Sequence, residues 1–133
     1  GWGLASLNPI SINRNDSIKA LKKVLRESKV RIKTGWWIII FPEGTRTKLG
    51  SRGNYSRTAA AVAKANNCSI IPVAHNAGLF WPKASYFRFP GKIIMKVGPE
   101  IITKNKSNDQ ITQEASECIE PPCMELPSTR QSS

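Results

Sequence analysis

The chain has 133 residues, a formal net charge of +11 and a pI near 10.0, which bounds it to one modest domain burying about 65–70% of its unfolded surface. No apolar run approaches the roughly 18 residues needed to span a bilayer, and no signal-peptide pattern opens the chain, so a soluble or peripheral chain is the expectation. Cys68, Cys118 and Cys123 show no repeated spacing, and Cys118 and Cys123 have no His or second Cys pair nearby, which supports neither a zinc site nor a disulfide framework and leaves reduced thiols in a cytosol-facing protein as the expectation.

The charge is unevenly spread: the first 99 residues hold 17 Lys and Arg against 3 Asp and Glu, and the last 34 hold 3 against 6. Such a basic surface attracts anionic lipid, nucleic acid or phosphorylated small molecules, and local chemistry must choose among them. The opening Gly1-Trp2-Gly3-Leu4-Ala5-Ser6-Leu7 is apolar and lacks an initiator Met, so a fragment beginning inside a domain is expected.

Along the chain, Asn8 to Asn13 alternates apolar and polar residues and predicts a short strand ending at Arg14. Asn15 or Asp16 then caps a helix to about Lys33, with Ile18, Leu21, Leu25 and Ile32 as its apolar stripe and Lys19, Lys22, Lys23, Arg26 and Lys29 on other faces. Thr34-Gly35 stops it. That helix reads either as a core-packing element with a solvated charged face or as one attracted to an anionic bilayer.

Trp37 to Phe41 is a continuous apolar run that predicts a strand covered on both faces, ended by Pro42. A loop at 48–54, an Ala-rich helix at 57–67, a buried strand at 69–73 and a strand at 92–97 follow. Between the last two lies a loop rich in Gly78, Trp81, Pro82, Phe87 and Pro90. Residues 103–133 are expected as a polar, poorly ordered tail with at most a weak helix at 103–117. The order of elements suggests an α/β fold with a mostly parallel central sheet flanked by helices.

The turn Phe41-Pro42-Glu43-Gly44-Thr45-Arg46 carries the chemistry. Gly44 permits a tight turn and exposes backbone N–H groups, Thr45 adds a hydroxyl, and Arg46 offers a planar donor fork for phosphate oxygens. Glu43 would orient Arg46 or accept a hydrogen bond from a substrate hydroxyl. The plain alternative is a strand-end turn with a surface ion pair worth about 0–1 kcal/mol. Ligands gather at the C-terminal ends of strands in open α/β sheets, where Arg14 and this turn both fall.

Residues 35–47, Gly-Trp-Trp-Ile-Ile-Ile-Phe-Pro-Glu-Gly-Thr-Arg-Thr, resemble the third conserved block of the glycerolipid acyltransferases, specifically the bacterial 1-acyl-sn-glycerol-3-phosphate acyltransferases. Ile10-Ser11-Ile12-Asn13-Arg14 resembles the second block and Ile70 to Gly78, centred on Pro72, the fourth. The resemblance covers about residues 1–102, which it implies are the C-terminal part of an acyltransferase domain, with 103–133 the tail. It implies transfer of a fatty acyl group from acyl-CoA or acyl carrier protein to the sn-2 hydroxyl of lysophosphatidic acid, giving phosphatidic acid at the cytoplasmic face of the inner membrane. By the same resemblance Arg14 and Arg46 hold the acceptor phosphate with Gly44 and Thr45, Glu43 shapes the glycerol site and Pro72 shapes the acyl or acceptor pocket. No metal or prosthetic group is implied; the partners are the two substrates and an anionic membrane surface.

The family's base is a His with an Asp five positions later, and this chain lacks the pair. His75 is its one histidine, and Phe80 stands five positions on. His75 is therefore read as structural or pocket-lining, catalytic residues are unassigned, and the 133 residues alone are expected to be inactive. The rival reading is a non-catalytic module that binds anionic lipid or nucleic acid; against nucleic acid, the aromatics sit in apolar runs rather than between basic residues.

Overall fold

The computed structural model describes residues 9–10, 17–44, 54–82 and 86–125. The chain divides into two compact units, Gly1–Ile39 and Ile40–Ser133. The second block, with Arg14, and the 48–53 loop lie outside the described residues.

In the first unit, α1 spans Ser17–Lys33. Ser28 is fully buried, and at 100° per residue it lies at the centre of the face that carries Leu21, Val24, Leu25 and Ile32. Glu27 pairs with Arg31 at 3.4 Å and with Lys23 at 3.8 Å. The helix ends in a Schellman motif: Gly35 adopts φ +83°, its N–H donates to the Ile32 carbonyl, and the Trp36 N–H donates to the Arg31 carbonyl. Trp37 to Phe41, expected as a buried strand, has no ladder partner among the described residues. Within it Trp37 and Ile39 are more than 80% exposed.

In the second unit, α2 spans Thr58–Ala65 and buries Ala60, Val62 and Ala63. It too closes in a Schellman arrangement, with Asn67 at φ +52° and N–H donation from Cys68 to Ala63 and from Asn67 to Lys64. Strands β1, Val73–His75, and β2, Met95–Val97, pair antiparallel with Val73 opposite Val97 and His75 opposite Met95. The fold is α/β, and the described ladder is an antiparallel pair. Among the described residues of the connection between the two strands the one helix is the one-turn α3, Ala77–Phe80, shorter than the helix that usually carries a parallel crossover.

Ile70 and Ile101 also bridge antiparallel, exchanging both backbone bonds. Between this bridge and Val73–Val97, Ile71 and Pro72 face Gly98, Pro99 and Glu100, which is a bulge of one residue. Both prolines fall where no ladder donor is needed.

The expected tail is, over Asn108–Glu125, the 18-residue helix α4. Ser107 and Gln110 form a capping box: the Gln110 N–H donates to Ser107 Oγ at 3.2 Å, and the Ser107 N–H donates to Gln110 Oε1 at 2.8 Å. Ile111, fully buried, meets Ala60 and Ile101 in the core, with Ile70, Ala115 and Cys118 packed against them. Ile111, Ala115 and Cys118 form an i, i+4, i+7 stripe, too short to stand out in a polar sequence.

Candidate functional site

Pro42 fixes φ for the second position of a tight turn, and Gly44 closes it at φ +64°. The Gly44 N–H donates to the Phe41 carbonyl at 3.1 Å. The Gly44 N–H is thus engaged within the turn, and the backbone donors of Thr45 and Arg46 lie outside the described residues. The contribution of Gly44 is its left-handed backbone, which a side chain would strain.

The turn is tied to the approach of α2, since the Ser56 N–H donates to the Pro42 carbonyl at 2.9 Å. Ser56 Oγ also accepts the Thr58 N–H at 3.2 Å, at the start of α2. The turn is thus anchored beside the partially positive end of a helix. Glu43 is half-buried, with no ion pair among the described residues. Thr45 and Arg46, like Arg14, lie outside those residues, so the described part of the site is Glu43 and Gly44.

Pro72 is buried at the bulge. Its carbonyl accepts the Gly98 N–H at 2.8 Å, and a Cβ on Gly98 would come within 2.9 Å of Pro72 Cγ and 3.6 Å of Cys118 Cβ. Its observed contacts are those of sheet packing. His75 is exposed, and its Nδ1 accepts the Ala77 N–H at 3.3 Å; among its described contacts none is a carboxylate.

Asn76 escaped the pattern reading. It is buried, its Oδ1 accepts the Ile94 N–H at 2.8 Å, and its Nδ2 donates to the Lys92 carbonyl at 3.3 Å. One amide therefore replaces ladder bonds where β2 begins. The available signal was a polar residue directly after a strand.

No helix of the described residues is long and apolar enough to cross a membrane, and no cluster of three or more potential metal ligands occurs among them.

Residues 1–76, which include all three sequence blocks up to Asn76, match the family model described as Acyltransferase. The chain belongs to that family. A 1-acyl-sn-glycerol-3-phosphate acyltransferase of Pseudomonas aeruginosa is 43% identical over 99 residues, covering 74% of this chain and 38% of that protein. A chloroplastic 1-acyl-sn-glycerol-3-phosphate acyltransferase of Arabidopsis thaliana is 27% identical over 73 residues, covering 55% of this chain and 20% of its own length. The crystal structure of the 1-acyl-sn-glycerophosphate acyltransferase PlsC from Thermotoga maritima matches with a TM-score of 0.71 and 26% identity, over 82% of this chain and 46% of that one. This acyltransferase-family chain thus spans less than half the length of each of these relatives.

Proposed function

We propose that these residues take part in acyl transfer to the sn-2 hydroxyl of 1-acyl-glycerol-3-phosphate, giving phosphatidic acid, and that they form the acceptor-phosphate side of the site. The observation that carries this reading is the Phe41–Gly44 turn, held by its own backbone bond and by Ser56 immediately before Thr45-Arg46, inside the segment that matches the family. The names borne by the relatives supply the acceptor class.

Arg46 and Arg14 bind the phosphate as planar donors, with the Thr45 hydroxyl beside them. Glu43 takes a hydrogen bond from the glycerol or orients Arg46. Because Gly44 closes the turn with its own N–H, the charge on the phosphate falls to the guanidinium groups. The donor is an acyl thioester, on coenzyme A or a carrier protein, and the reaction takes place at an anionic membrane surface on the cytoplasmic face.

Deprotonation of the hydroxyl is assigned to none of these residues. His75 already accepts the Ala77 N–H, and no His with an Asp five positions later occurs in the sequence. Holding donor and acceptor in line supplies much of the acceleration in such a transfer.

The test is a chimera in which this chain's aligned segment replaces the matching 99 residues of the P. aeruginosa relative. Phosphatidic acid formation from oleoyl thioester and lysophosphatidic acid is expected. A folded chimera that binds lysophosphatidic acid no better than lysophosphatidylcholine contradicts the reading.

A further inference from the structure

Helix α1 sorts its charges onto one side. At 100° per residue, Lys19, Lys22, Lys23, Arg26, Lys29 and Lys33 fall within an arc of about 120°, opposite the fully buried Ser28. Lys19, Lys22, Arg26, Lys29 and Lys33 are exposed. The single carboxylate of the helix, Glu27, lies outside the arc and is engaged by Lys23 and Arg31.

Two branched apolar residues interrupt this charged side. Val30 lies inside the arc and is 62% exposed, and Ile18 lies on its edge and is 70% exposed. Packing them into a protein core would bury the lysines around them, so core packing does not account for them. The Schellman stop brings the chain directly to Trp36 and Trp37, both exposed, at the same end of the helix.

We propose that the basic face of α1 is a docking surface for an anionic lipid bilayer, on which the Lys and Arg side chains meet headgroups and Ile18, Val30 and the tryptophans enter the interface. Positive charge alone would suit any polyanion. Exposed branched residues set among the charges, with exposed tryptophans just past the C-terminus of the helix, suit a surface that has acyl chains beneath its charges. The inference rests on the proposed acyl transfer only in naming which face meets the membrane, and vesicle binding without donor or acceptor separates the two.

The experiment is flotation of the full chain with phosphatidylcholine vesicles and with vesicles doped with phosphatidylglycerol, across a salt series. Binding is expected only to the doped vesicles and to weaken as salt rises. The variant Lys22→Gln/Arg26→Gln/Lys29→Gln is expected to lose at least about tenfold in partitioning, whereas Lys64→Gln/Lys92→Gln/Lys104→Gln, which removes equal charge outside α1, loses less than about twofold. Ile18→Ser/Val30→Ser is expected to weaken binding with charge unchanged, and far-UV circular dichroism verifies the fold of each variant. Equal losses from the two triple variants, binding indifferent to Ile18 and Val30, or α1-dependent binding to RNA or to an acidic protein without binding to vesicles would each overturn the proposal.

Discussion

The Pro72 carbonyl accepts the Gly98 N–H at 2.8 Å, and the Pro72 ring occupies the space where a side chain on Gly98 would stand. The bulge therefore permits only glycine at position 98 without movement of the proline. Gly98→Ala is expected to cost about 1–3 kcal/mol by overpacking, and Gly98→Val more. Urea unfolding followed by circular dichroism measures both, and an unchanged midpoint would show that the bulge yields freely.

Asn76→Ala removes the acceptor of the Ile94 N–H and the donor to the Lys92 carbonyl. Leaving such backbone groups unsatisfied costs about 1–3 kcal/mol. Hydrogen exchange should in addition accelerate more at Ile94 than at Lys96, which stays paired with Ala74, because the Asn76 amide holds only one end of β2.

Ile111→Ala opens a cavity between α2, the Ile70–Ile101 bridge and α4. A loss of about 2–5 kcal/mol is expected. The same change at exposed Ile102 should cost well under half as much, and equal losses would mean that α4 is not part of this core.

These three sites lie where reading the sequence falls short. Helices α1 and α2 are legible because a periodic stripe or an alanine run declares itself within a few turns. The antiparallel pairing, the bulge and Asn76 depend on residues such as Ile94 and Ile101, far along the chain, and nothing local announces them. Helix α4 was obscured differently: its capping box and three inward residues sit in a polar stretch with a Pro-Pro pair, which reads as a tail. In the candidate site, Pro42 and Gly44 spell a turn directly, but that Gly44 uses its N–H within the turn is visible only in three dimensions.

Gly44→Ala places a β-carbon on a residue at φ +64°, with no neighbour within 4 Å to clash. The cost is therefore backbone strain alone, about 1–2 kcal/mol, and Gly44→Asn should recover part of it. Acceptor binding should fall with the alanine through displacement of the following residues, and isothermal titration with lysophosphatidic acid checks this.

The central claim is that the turn ending in Arg46 holds the acceptor's phosphate, and the most direct measurement is the acceptor KM of the chimera with Arg46→Ala beside Lys104→Ala. The account predicts that the first raises the KM for lysophosphatidic acid at least about tenfold, or abolishes turnover, for loss of a charge-assisted phosphate contact, while the second leaves it unchanged. Equal effects from the two variants would contradict it.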